Sequence, residues 1–529
     1  VSDRLARWSP VAAVVGLWIG YAFLREGPFA DYGYRTSMCL VGAVLILARA
    51  YAPKDLPSGR VVMTLVLVGW IGASVGGIAG RDLDRTFRRG ELRLWSHYHY
   101  YLGAMYFPEL GYDGLYDQTL AADREGDWTL RDLPDIRDLA TYDREPLDYE
   151  SRVRRAAWSD ARWQSFVRDV EWFLPQFDHA SWKRILRDRG YNATPAGGAL
   201  YRLSAALSLN QRTLMRVAIL DLVLLVLGFV AVGRTFGWLK AGLAAAWFLL
   251  FFGNEFHVVG GPVLHDWVAA LLLMACAVHT NRPMAAGMLL GYASMARVFP
   301  GFLLAGLATW TVVAMRREGT FPRFTNRFVR GLAAAVALMF VLGCFTGRGV
   351  GAWGEWADNI SLHSATHRFG DKRIGLQHPF THDWDLGWDA FPSKSRRAEV
   401  WPDQKLAWAA AAAALLLLWG AAAWRGAKAE RDPLDSMVFA LPVLFAGIVL
   451  SRYYWTIACL FFLIGGRERD GPREAHLGAG LFLLCAAQYS WQVQSRDDFG
   501  WYVAANLMLT FGFAGALVAR AIRRPPATP

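Results

Sequence analysis

Charge is what this sequence carries least of: 19% of its 529 residues are Asp, Glu, Lys or Arg, where a soluble chain carries about a quarter. With 54% hydrophobic residues, that deficit excludes an ordinary soluble globule and a disordered chain. Cysteine is scarce too. The five (Cys39, Cys276, Cys344, Cys459, Cys485) stand singly within or beside apolar runs, with no CxxC, so neither a disulfide nor a thiolate metal site is expected. No Lys/Arg stripe with interleaved aromatics marks a nucleic-acid groove, and no repeat of fixed period appears. No small-residue cleavage motif follows the first apolar run, Trp8–Leu24, which reads as a retained helix rather than a signal peptide.

What is present in quantity is apolar sequence of membrane-spanning length. Candidate spans fall at roughly 9–24, 36–52, 61–79, 214–233, 237–252, 266–280, 283–297, 300–315, 331–346, 406–424, 435–451, 455–466, 475–491 and 501–521. They predict an all-α polytopic membrane protein of about fourteen transmembrane helices. The divisions expected are an N-terminal helix pair (1–60), a membrane core (61–346), a long loop (347–405) and C-terminal helices (406–529).

Basic residues orient it. Arg4 and Arg7, Lys54 and Arg60, Arg282, the run from Arg316 to Arg330, Arg425 to Arg431, Arg467 to Arg473 and Arg520 to Arg524 share one side if spans alternate. By the positive-inside rule that side is cytoplasmic, which explains the net charge of +11 and puts both termini inside. The segments 80–212 and 347–405 then emerge outside a cytoplasmic (inner) membrane. The first is expected to be a helical extracytoplasmic cap: Trp163, Phe166, Val170 and Phe173 mark one helical face. The second, richer in Gly, His and Asp, is expected to be less helical.

One stretch inside the first segment organises the rest. Trp95–Asp117 holds His97, His99, six tyrosines, Glu109, Asp113 and Asp117, too polar to cross a bilayer and too aromatic for a solvated loop. It is expected to be a surface helix walling a site, with His97 and Tyr101 on one face. Nine of the eleven histidines fall on the outer side, a bias that suggests a shared outer-face site.

Four further groups carry candidate chemistry. Glu255, His257, His265 and Asp266 sit between two spans around a Gly-Gly-Pro turn, with Asp266 expected to cap a helix start. Arg297 ends a span before Pro300, a depth that is costly unless it faces a cavity or an anion. His363 and His367 stand at i, i+4 with Arg368, Lys372 and Arg373 behind them. That spacing fits zinc, with His257 or His265 completing the ligands, but the basic flanks favour a phosphate. Asp221 is an intramembrane acid, read either as functional or as a partner of Arg212 or Arg216. Arg452, before Tyr453-Tyr454-Trp455, reads as a snorkelling arginine or a headgroup clamp.

In order, these motifs resemble the GT-C superfamily of integral-membrane glycosyltransferases, closest to its mannosyltransferase-like branch using polyprenyl-phosphate sugars. The likeness rests on His97, Tyr100-Tyr101, Gly111 and Leu115-Tyr116 in the first outer loop, Gly190 to Pro195 (with Tyr191 and Asn192) before the fourth span, and Arg297-Val298-Phe299-Pro300. It covers about 61–315. The resemblance implies transfer of a sugar from a polyprenyl-phosphate donor to a glycan, lipid or protein acceptor at the outer face, among membrane lipids and without nucleic acid. It implies a carboxylate base in the outer loop; His97 stands at that place, and Asp82, Asp84, Glu91 and Glu109 are the nearest acids. His97 or Asp84 is then the expected base, with Asp82 and Glu109 as further candidates. His99 and Tyr101 orient the acceptor, and Arg297, helped by Arg368 or Lys372, holds the phosphate. His257, His265, Asp266, His363, His367, Arg452, Tyr191 and Asn192 complete the expected substrate contacts. No cofactor is required on this reading. The rivals are a histidine-rich enzyme holding a divalent metal or haem, and a lipid or solute transporter with Asp221 and Arg297 in its path.

Overall fold

The computed structural model describes residues 11–16, 30–52, 57–127, 129–205, 209–251, 260–367, 369–370, 373–386, 392–429, 432–466, 472–494 and 506. They are mostly helical; the β-structure among them is two short antiparallel pairs, Asp135–Arg137 with Arg144–Pro146 and Arg373–Ile374 with Leu450–Ser451. Among the described residues five helices are long and apolar enough to cross a membrane: Ser58–Arg88, Gln211–Phe236, Phe299–Glu318, Arg323–Cys344 and Lys394–Arg425. Trp238–Leu250, Asp266–His279 and the broken stretch Pro433–Gly447 are apolar but shorter.

Local chemistry sets the boundaries. The Asn210 side chain accepts from Thr213 N to start the Gln211–Phe236 helix, and Gly237 ends it at φ 97°, a region open to glycine without strain. Pro283 begins the Pro283–Ala296 helix, where a missing N–H costs nothing. The run at 435–451 is not one helix: Pro433–Val438 and Leu441–Gly447 are separate pieces ahead of an extended residue. Arg452–Leu463, expected as a span, is a 3₁₀ helix. At about 2 Å per residue its twelve residues cover roughly 24 Å, more than an α-helix of that length.

The membrane-type helices share a large apolar core around Trp247, Trp267, Leu272, Leu290, Phe328, Phe445 and Phe482. A second core, built from Tyr98, Tyr106, Tyr116, Trp158, Trp163, Phe166, Phe173 and Trp182, belongs to the polar segment between the Pro57–Leu83 and Gln211–Phe236 helices. Trp163, Phe166, Val170 and Phe173 all point into it from the Asp160–Phe173 helix, which Ser159 caps. Hydrogen bonds fasten this unit to the helix ends beside it, among them Arg93 N to Gly260 O at 2.8 Å, Arg202 Nη1 to Thr346 O at 2.6 Å and Arg348 Nε to Phe107 O at 3.1 Å.

Two expectations are corrected. The Trp95–Asp117 stretch is not a single helix. It runs as Leu94–His97, a π turn at Tyr98–Leu102, Gly103–Met105, Phe107–Leu110, and a turn at Gly111 (φ 61°) before Leu115–Glu125. The 347–405 segment is more helical than its composition suggests, because Gly351–His367 forms 17 residues of helix.

Candidate functional site

The Arg297 side chain is the centre of the best-assembled polar cluster. It leaves the end of the Pro283–Ala296 helix, where Gly287 and Gly291 let the Arg323–Cys344 helix approach closely. Its Nη1 donates to Ala296 O at 3.1 Å and its Nη2 to the Tyr201 hydroxyl at 3.4 Å, while Nε is enclosed and meets no protein acceptor. Tyr100, Tyr201, Tyr454 and Asp266 are its neighbours, three neutral phenols and one carboxyl group.

Each neighbour comes from a different part of the chain. Tyr201 lies on the Pro195–Ala205 helix and donates to Val263 O, joining the outer segment to the Gly-Gly-Pro turn. Tyr100 belongs to the π turn; its ring packs 5.0 Å from Tyr201 and 5.9 Å from Tyr191, and its hydroxyl donates to Asn192 Oδ1 at 3.1 Å. Asp266 opens the Asp266–His279 helix and accepts from the Tyr292 hydroxyl at 2.6 Å, leaving Oδ1 enclosed and unbonded. Tyr454 packs against Phe299 and Trp267, which brings the Arg452–Leu463 segment to the same place.

Asp266 does not cap its helix. His265 occupies the cap position, and Asp221 from the Gln211–Phe236 helix grips it twice. Asp221 Oδ1 accepts from His265 N and Oδ2 from His265 Nδ1, both at 2.8 Å. Asp221 therefore partners His265, 44 residues away, rather than Arg212 or Arg216. Burial lowers the pKa of the Arg93 guanidinium, and the Asp221 and Asp82 carboxylates oppose that.

His97 borders this cluster on a crevice with Tyr100, Tyr101, Tyr201 and Pro262. Its Nε2 donates to Gly260 O at 3.2 Å, and burial pulls its pKa down to about 4. Donation from Nε2 leaves the basic lone pair of this ring on Nδ1. Asp84 is ion-paired, with Arg88 Nε at 2.6 Å and Arg89 Nε at 3.2 Å from its carboxylate. Asp82 is fully buried beside Arg81, at 3.6 Å.

Other expected contacts belong to the aromatic unit's own core. His99 donates from Nδ1 to Trp95 O and accepts at Nε2 from Tyr116, whose oxygen takes the Gly190 N–H. Both of its ring nitrogens are hydrogen-bonded within this core. Glu109 is held by Arg162 at 2.7 and 3.2 Å. Tyr101 is buried against the same core, its hydroxyl pushed up by burial and then by Asp169. Tyr191 stacks on Tyr112 at 5.8 Å, and Gly103 makes room for its ring: a Cβ there would lie 2.5 Å from it.

His363 sits apart, edge-on to Tyr142 at 5.9 Å; burial, then Arg189 and Arg373, lower its pKa to about 3. Those two arginines make the surroundings unlike a cation site. Among the described residues no three His, Cys, Asp or Glu side chains gather as metal ligands, and the five cysteines are free thiols. Arg452 is buried, so it does not snorkel to the surface. His257, Arg368, Lys372 and the His367 side chain lie outside the described residues.

The structure thus brings together His97, Tyr191, Asn192, His265, Asp266 and Arg297 from the candidates read in sequence. It adds Arg93, Tyr201 and Tyr292, which no sequence motif singles out. No protein-family model, curated protein or solved structure matches the chain.

Proposed function

We propose that the chain is a membrane glycosyltransferase of GT-C type that moves a sugar from a polyprenyl-phosphate donor to an acceptor at the outer face of the cytoplasmic membrane. In this reading the helices form a bundle of about fourteen spans with both termini inside, and the aromatic unit between residues 80 and 212 is the extracytoplasmic cap. The observation that carries the reading is Arg297. Its guanidinium retains an enclosed, unbonded Nε, it lies among hydroxyls rather than in a closed ion pair, and it stands where apolar helices meet a polar unit. A phosphate whose lipid tail runs down the helices and whose sugar enters the polar unit satisfies that arrangement.

In such a transfer, negative charge grows on the departing phosphate oxygen, and a fixed cation there lowers the barrier. Arg297 and Arg93 supply the cations, while Tyr100, Tyr201 and Asn192 line the sugar's side. The test uses purified protein in nanodiscs with undecaprenyl phosphate as the probe, followed by native mass spectrometry. Arg297→Gln is expected to weaken binding by about tenfold or more and to abolish release of undecaprenyl phosphate from a panel of undecaprenyl-phosphate sugars. Normal binding and turnover in that variant would sink the assignment.

A further inference from the structure

His97 is buried and Asp84 is tied to two arginines, which leaves room for another base beside the anion holder. The geometry points to His265: we infer that it is the group that takes the acceptor's proton, with Asp221 as its positioning residue. This rests on the transferase reading above and changes the identity of the base within it.

Three observations carry the inference. Asp221 spends both carboxylate oxygens on one residue, binding His265 N and Nδ1 at 2.8 Å each. A carboxylate is an acceptor only, so Nδ1 must carry the proton, and the basic lone pair is left on Nε2. Second, Nε2 makes no hydrogen bond among the described residues and is not sealed off by them, unlike the enclosed Nε of Arg297. The ring is held in plane by Phe248, which meets it edge-on at 5.6 Å. Third, the pair belongs to the Arg297 cluster. His265 is followed directly by Asp266, whose carboxylate accepts from Tyr292 on the helix that ends at Arg297. A carboxylate fixing the tautomer and orientation of an imidazole beside a cationic anion site is the arrangement general-base catalysis asks for.

Burial separates the two imidazoles. His97 is 2% exposed and its Nε2 is committed, whereas the His265 side chain keeps 15% of its surface with Asp221 at 4%. An imidazole that keeps solvent contact and a buried carboxylate partner is able to accept and then release a proton.

The step balances without a further reactant. The acceptor oxygen forms its bond to the sugar's anomeric carbon as His265 Nε2 takes the hydroxyl proton. The bond from the anomeric carbon to the phosphate oxygen breaks, and its electron pair leaves with the polyprenyl phosphate, beside Arg297. His265 then returns the proton to water. Among the described residues the charged group in contact with the ring is Asp221.

The experiment measures undecaprenyl phosphate binding and its release from undecaprenyl-phosphate sugars by protein in nanodiscs. His265→Gln is expected to lose about 10²–10⁴-fold in turnover while binding undecaprenyl phosphate within about twofold of wild type. Added imidazole is expected to restore part of the activity of His265→Ala. Asp221→Asn is expected to lower kcat while leaving undecaprenyl phosphate binding within about twofold, because an amide can donate to Nδ1 and no longer fixes the tautomer that leaves the lone pair on Nε2. Wild-type turnover in His265→Gln overturns the inference alone. So does a loss that imidazole does not rescue in His265→Ala together with an unchanged kcat in Asp221→Asn, which is the signature of a helix cap. Failure of the wild type to release undecaprenyl phosphate from any donor overturns the transferase reading, and the inference falls with it.

Discussion

Replacing Gly287 by alanine tests how Arg297 is held in place. The Pro283–Ala296 and Arg323–Cys344 helices are the most extensively apposed pair in the structure, and they touch through glycines. A Cβ on Gly287 would lie 1.9 Å from Phe328 O, and one on Gly331 would lie 2.0 Å from Met284 O. Ordinary contact begins at 3.4 Å, so the helices must separate by about 1.5 Å at that level, and the obstacle is backbone, which cannot rotate away. Overpacking in a core costs about 1–3 kcal/mol, and a backbone obstacle puts this case at about 3 kcal/mol. Because Arg297 follows the same helix by ten residues, a displaced helix also displaces the guanidinium from Tyr201. We expect Gly287→Ala to lower the midpoint of thermal unfolding in detergent by several degrees, and to weaken undecaprenyl phosphate binding as well. Gly420→Ala is the control, since a Cβ there meets nothing within 4 Å and alanine favours a helix by about 0.5–1 kcal/mol. If Gly287→Ala melts with Gly420→Ala, close packing of these helices does not fix the site.

Two further outcomes concern the outer unit. His97 has a folded pKa of about 4, below its ordinary 6.5 because burial disfavours the cation, so its contribution is complete above pH 6.5 and is lost as pH falls toward 4. The shift corresponds to roughly 3 kcal/mol, and His363, lowered to about 3 for the same reason, adds in the same direction. Tryptophan fluorescence is expected to report loosening of this unit between those pH values, with a shallower dependence in His97→Gln; an unchanged slope refutes the assignment. Arg162 grips Glu109 with two hydrogen bonds, donates to Met105 O and lies 4.5 Å over the Tyr106 ring. Arg162→Ala is expected to destabilise the chain by about 2 kcal/mol, measured by hydrogen exchange at 105–110, and intact protection there would count against it.

How far the sequence could be read follows from the range of the forces involved. Apolar length is a local property, so membrane character and the amphipathic face at Trp163, Phe166, Val170 and Phe173 were plain. Arg297 was legible because a cation at the end of an apolar helix stands out in one dimension. Its surroundings were not, because Tyr100, Tyr201 and Tyr454 approach it from segments far apart in the chain. Asp221 illustrates the same limit: neighbouring arginines offered themselves in sequence, but the carboxylate reaches across to His265. The spacing of His97 and Tyr101 was read on a regular helix, and the backbone there is irregular. The run at 455–466 was apolar enough for a span, but hydropathy carries no information on whether the backbone winds as α or 3₁₀.

The two π turns, Asp84–Arg88 and Tyr98–Leu102, bracket Arg93 and bear on how this chain is compared with others. A π turn is an α turn that has absorbed one extra residue, and such a residue rotates everything beyond it by about 100°. In the language of alignment each is a one-residue insertion. A gapless alignment against a regular helix therefore slips by one position at each turn, so the residue set opposite an expected acid need not be the one facing the site. Placing a gap within 84–88 and another within 98–102 restores the phase, and a comparison made in that register judges the outer loop by which side chains share a face.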